Sequence, residues 1–226
     1  MEQKAVNLIL IETSTSLCSV ALCRDGELVA YEESKEPKAQ ASLTAPFVQN
    51  VLQKAGLSIK DCDGVCVSSG PGSYTGLRVG VSTAKGLCFG AKLPLFALST
   101  MDILREMGGD VKYIVPMIDA RRMEVYCAVY KDGVKIVDTA PLVVDENSFA
   151  DILTDGEVLF IGDGAGKCAD VIKHPNARFV QCFPNAKAMT RQAHQLFLKG
   201  KSEDVAYFEP FYLKDFIATV SKKSLF

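Results

Sequence analysis

The sequence predicts an α/β fold of two lobes, each built on a mixed β-sheet, because one pattern of strands, turns and loops occurs twice along the chain. In the first copy the apolar run Leu10, Ile11 ends at Glu12, and the strand-like stretch 18–24 then meets Asp25-Gly26. In the second, Met117, Ile118 ends at Asp119, and 125–131 meets Asp132-Gly133 in the same register. An Asp-Gly pair between apolar runs signals a tight hairpin, so each copy reads as a three-stranded meander. A helix follows each meander, then a short apolar strand that breaks into glycines, at 64–70 and at 157–164. Gly108-Gly109-Asp110 marks the boundary, giving lobes 1–108 and 109–226, and no low-complexity linker holds them apart.

The elements follow in order. Residues 42–55 carry Leu43, Phe47 and Val51 on one helical stripe beside Val48, Leu52 and Ala55, and Gly56 ends the run. Pro46 must lie in the first turn of that helix or kink it. The strand 64–70 opens into the loop Gly70-Pro71-Gly72-Ser73, and a helix over 76–89 follows, capped by Ser73 or Thr75. Gly76, Gly80 and Ala84 recur every four residues and form a bare ridge on that helix. Each helical glycine costs about 1 kcal/mol relative to alanine, so the ridge implies a close neighbour. That neighbour is either an anion at the loop, held by backbone N–H groups, or another helix of the same or another chain. Residues 186–199 carry Met189, Ala193, Leu196 and Phe197, a core-facing stripe.

Composition narrows the function. With 226 residues, 48% of them hydrophobic, the chain buries a sizeable core, and its net charge of −2 gives no basic field, so RNA is met only through a partner. The eight cysteines lie mostly in apolar runs and no signal peptide precedes residue 5, which reads as reduced thiols in a cytoplasmic protein. Cys62 and Cys66 have a metal-like spacing but no second pair or nearby histidine, so no metal site is expected. No apolar run reaches membrane-spanning length. Two histidines, His174 and His194, and the absence of a Gly-x-Ser-x-Gly turn leave nothing for a nucleophilic triad, so no catalytic residue is assigned.

The candidates for a phosphate or nucleotide are Glu12, Thr13 and Ser14 in the first copy, Gly70, Gly72 and Ser73 in the glycine loop, and Asp119, Gly162 and Gly164 in the second copy. Residues 161–167 are rich in glycine, but Cys168 after Lys167 breaks the Walker pattern. An autonomous ATPase or kinase would use Glu12 and Asp119 around Mg²⁺. A peptidase would need a metal set or a nucleophile–base pair that these residues do not supply.

Three blocks carry a family resemblance: ILIETSTSLCSVAL at 9–22, GPGSYTGLRVG at 70–80 with Ala84-Lys85-Gly86, and EPFYLK at 209–214. Together they resemble the TsaB family, also called YeaZ, over essentially the whole chain. The resemblance implies the two-lobed fold of actin, Hsp70 and the sugar kinases. It implies a cytoplasmic accessory subunit of the machinery that places threonylcarbamoyl on the adenosine beside the tRNA anticodon. It implies TsaD as heterodimer partner, the ATPase TsaE as a further partner, a homodimer when alone, and ATP or ADP only within the complex. The implied partner surface combines Leu43, Phe47 and Val51 with Gly76, Leu77, Gly80, Val81, Ala84 and Cys88. Where the paralogue TsaD carries metal-binding histidines, QASLTAPF at 40–47 has none, and the histidine that family members often carry near Gln40 is absent too.

Overall fold

The computed structural model describes residues 4–213; Lys214, the last residue of the EPFYLK block, lies outside them. Two five-stranded sheets share one topology. In the first, β1 (Asn7–Glu12), β2 (Cys18–Arg24), β3 (Glu27–Ser34), β4 (Gly64–Gly70) and β5 (Leu95–Ser99) lie in the order β3-β2-β1-β4-β5. In the second, β6 (Tyr113–Asp119), β7 (Glu124–Lys131), β8 (Val134–Val143), β9 (Val158–Gly162) and β10 (Ala177–Gln181) repeat it as β8-β7-β6-β9-β10. The meanders are antiparallel, and β1 with β4, like β6 with β9, pairs in parallel. These are the duplicated mixed sheets of the actin/Hsp70/sugar-kinase architecture.

The first sheet is covered on both faces, which is why β1 reads as a continuous apolar run. Ile9 and Ile11 point to one side, with Val20, Leu22, Val65 and Val67, and are covered by α1 (Ala39–Lys54) and α2 (Tyr74–Ala91). Leu8 and Leu10 point to the other, alternating as strand geometry requires. Ser73 caps α2 by accepting from Gly76 N at 3.3 Å. Helix α1 begins three residues earlier than expected, so Pro46 sits inside it rather than in its first turn.

The second face of the first sheet corrects the expected division at 108/109. Ala186, Met189 and Ala193, from a short 3-10 turn and α6 (Thr190–Leu198), pack on Leu8, Leu10, Ala21 and Phe96. Ala186 N donates to Ser19 Oγ at 3.0 Å. Further on, Glu203 N donates to Leu95 O at 2.8 Å, Phe211 N to Ser69 O at 2.7 Å, and Lys85 Nζ holds the carbonyls of Ala206 and Phe208. The chain from 186 to 213 therefore belongs to the first lobe, where it shares the cover of that sheet's apolar underside with Ile103 of the helix after β5. In return α3 (Thr100–Met107) turns Met101 and Leu104 toward Ile118, Ala128 and Tyr130 of the second sheet, so the lobes are cross-braced.

All eight cysteines are unpaired, seven of them buried; burial pushes the Cys62 thiol up to about 11. No helix among the described residues is long and apolar enough to cross a membrane.

Candidate functional site

The β1–β2 loop and the glycine loop after β4 meet at the mouth of the first sheet. Ser73 N donates to Ser14 O at 2.6 Å. A Cβ on Gly72 would strike Ser14 O, one on Gly76 would strike Thr13 O, and one on Gly80 would strike Thr13 Oγ1. Thr13 Oγ1 in turn donates to Gly76 O at 2.9 Å. The close neighbour that the bare ridge requires is thus the chain's own β1–β2 loop. The Ser73 N–H, a candidate phosphate donor, is spent on that loop as well. Gly70, at φ 104°, is held from the other side, where Phe211 O lies 2.8 Å from where its Cβ would be.

Behind this contact Glu12 is fully buried. Its Oε1 accepts from Ser14 N at 2.6 Å, while Oε2 and the hydroxyl oxygens of Ser14, Thr15 and Ser68 have no partner among the described residues. Burial pushes the Glu12 carboxyl up to about 7, against the lowering effect of Ser14 and Ser68 and with a small contribution in the same direction from Asp163 of the second lobe. Burial likewise raises Asp163 to about 6, against the hydrogen bond it accepts from Asp119 N at 2.9 Å. Burial away from water is what favours the neutral carboxyl here, since the neighbouring hydroxyls, as donors, favour the ionised form.

The expected symmetry between Glu12 and Asp119 does not hold at the level of side chains. Asp119 is exposed and accepts from Lys167 Nζ, which also donates to the carbonyls of Arg122 and Glu124 at 2.7 Å each. Asp163 is the acid that acts on Glu12 across the cleft. Asp163 and Lys167 both lie in the glycine-rich run 161–167; a Walker comparison misses them because their role is to hold β6 and the loop after it. Gly162, at φ 133°, lies against Met117 O, and Gly164 N donates to that same carbonyl at 3.0 Å, so this second glycine turn also braces its own sheet.

Comparison with known proteins decides the family. A family model described as TsaD, tRNA N6-adenosine threonylcarbamoyltransferase, matches residues 37–222. The tRNA threonylcarbamoyladenosine biosynthesis protein TsaB of Escherichia coli K12 is 30% identical over 94% of this chain and 96% of its own length. The chain belongs to the TsaB family. The protein of the same description from Bacillus subtilis 168 is 30% identical over 70% of this chain and 71% of its own. YeaZ from Pseudomonas aeruginosa superposes with a TM-score of 0.79 at 26% identity, covering 92% of this chain and all of that one.

The interface residues expected from TsaB resemblance are placed inward. Phe47, Val51, Val81, Ala84 and Cys88 lie in the core above the first sheet with Leu43 at its edge, and Leu77 is buried beneath Gly70. These side chains are already covered by the chain itself. A different ridge of α2 faces out: Ser82, Gly86 and Gly90 are exposed, and a Cβ on Gly86 or Gly90 would meet nothing within 4 Å among the described residues. Phe89 beside them is 83% exposed. On the neighbouring α1 the outward residues Ala41, Ser42, Ala45, Pro46 and Gln49 are small or uncharged. The sequence carries this ridge as the same four-residue repeat from Ser82, but it lies away from the glycine loop that marks the inner one.

Proposed function

We propose that this chain is the non-catalytic, cytoplasmic accessory subunit that TsaD requires to transfer threonylcarbamoyl to the adenosine beside the tRNA anticodon. The observation that carries the reading is the outer face of α1 and α2. A solvated helix face is normally charged along its length, whereas this one, between Arg78 at one end of α2 and Lys54 at the end of α1, offers Ala41, Ala45, Ser82, Gly86 and Gly90 around an exposed phenylalanine. Two such helices admit a matching pair at short range, because small residues let backbones approach. TsaD supplies that pair in the complex, and a second copy of this chain supplies it when TsaD is absent. TsaE joins the assembled pair, and any ATP or ADP is held in the complex rather than by this chain alone. Consistent with that division, Glu12 is buried and the Ser73 N–H is occupied within the chain, which disfavours the autonomous ATPase.

Co-purification with the TsaD of the same organism, light scattering for stoichiometry and a transfer assay with and without this chain test the proposal. Complex formation with transfer dependent on this chain is expected. No complex, together with ATP turnover by the chain alone, overturns it.

A further inference from the structure

Three corners of the fold contain two successive residues at positive φ. Two use the pair best suited to it: Asp25 (φ 52°) with Gly26 (φ 89°), and Asp132 (φ 48°) with Gly133 (φ 78°). The third, between β6 and β7, uses Arg121 (φ 73°) and Arg122 (φ 50°). Arginine is disfavoured there because its Cβ crowds the backbone, and strain of this kind persists only where surrounding contacts enforce it. Those contacts are present: Arg121 N donates to Asp119 Oδ1 at 2.8 Å, and Lys167 Nζ holds the carbonyls of Arg122 and Glu124. Both arginines are exposed, and among the described residues neither guanidinium has an ion-pair or hydrogen-bond partner.

The corner thus holds two adjacent guanidinium groups out in solvent, unpaired among the described residues, on a backbone fixed by Asp119 and Lys167. We propose that Arg121 and Arg122 form a phosphate clamp for the RNA backbone of the tRNA on which the assembled complex acts; this rests on the accessory-subunit reading. The guanidinium fork matches phosphate oxygens in a bidentate way. An RNA backbone offers successive phosphates to successive arginines, while an exposed hairpin corner has no walls to enclose a mononucleotide. Contacts of this kind position a nucleic acid without reading its sequence, and a short clamp suits a chain of net charge −2 that has no broad basic field.

The test replaces the corner with the chain's own solution, Arg121→Asp with Arg122→Gly, in the full chain assembled with TsaD. The melting temperature of the isolated variant is expected to rise and its assembly with TsaD to be unchanged. Fluorescence anisotropy with tRNA should show binding weakened about tenfold at low salt, with the slope of log affinity against log salt shallower by about 1 to 2. Arg121→Lys with Arg122→Lys, which keeps charge and loses the fork, should fall between variant and wild type. Unchanged tRNA affinity and slope in an assembled complex overturns the clamp alone. Loss of assembly in the Asp-Gly variant also overturns it, making the pair a protein contact, as does weakened ATP binding with tRNA binding intact. Failure of the wild-type chain to assemble overturns the accessory reading, and the clamp with it.

Discussion

The two lobes share a strand order and differ in everything laid over it. Helices α1 and α2 of the first lobe have 16 and 18 residues, whereas their counterparts α4 (Ala150–Asp155) and α5 (Ala165–Cys168) have 6 and 4. The cleft loops diverge as well. The loop after β1 is buried, uncharged apart from Glu12, and pressed into the glycines of α2; the loop after β6 is exposed, charged and clamped by Lys167. Duplication supplied two equal frames. One frame was extended into a helical face and sealed around its own loop, and the other kept an open, basic corner.

The most disruptive way to break this contrast is Gly76→Val, which drives a branched side chain into the Thr13 carbonyl. A loss of about 3 kcal/mol or failure to fold is expected, read by urea unfolding. Unchanged stability would mean that the loop is not sealed.

The second test uses pH. The Glu12 carboxyl is raised in the folded state from 4.5 to about 7, so the folded protein holds a proton that the unfolded chain has released. Its stabilising contribution is complete below about pH 4.5 and is lost as pH rises through about 7, amounting to about 3 kcal/mol as an order of magnitude. Glu12→Gln should flatten that decline when unfolding midpoints at pH 5 and pH 8 are compared. Asp163→Asn should flatten a smaller part at lower pH, since its shift runs from 3.8 to about 6. A wild-type protein equally stable at both pH values would remove the neutral Glu12.

In the second lobe, Lys167→Met removes the clamp on the β6–β7 loop. A loss of about 1 kcal/mol is expected, with faster amide hydrogen exchange at Glu124, whose N–H donates to Arg121 O at 3.1 Å. The smallest effect has two signs. Gly86→Ala touches nothing among the described residues, so it should stabilise α2 by about 0.5–1 kcal/mol while weakening association with TsaD or with a second copy. Stabilisation without weaker association would show that the outer ridge is only solvated surface.

Much of this was legible in the sequence. Four strands of each sheet, both Asp-Gly turns, a cap at Ser73 or Thr75 and the duplication follow from local preferences and period, which act over a few residues; the edge strands β5 and β10 did not show in the pattern. That α2 needs a close neighbour was legible from Gly76 and Gly80; which neighbour was not. Small residues line two ridges of that helix, Gly76-Gly80-Ala84 and Ser82-Gly86-Gly90, and periodicity treats them alike. Only packing decided that the first meets Thr13, while Gly86 and Gly90 of the second have room beside them among the described residues. That Asp163 rather than Asp119 acts on Glu12 was equally hidden, because the two acids follow different strands, β9 and β6, and only their packing sets which one lies near Glu12. The sequence by itself determined the two repeated sheets. The tertiary structure alone decided that residues 186–213 return to close the first of them, because burial of its underside depends on contacts between residues far apart in the chain.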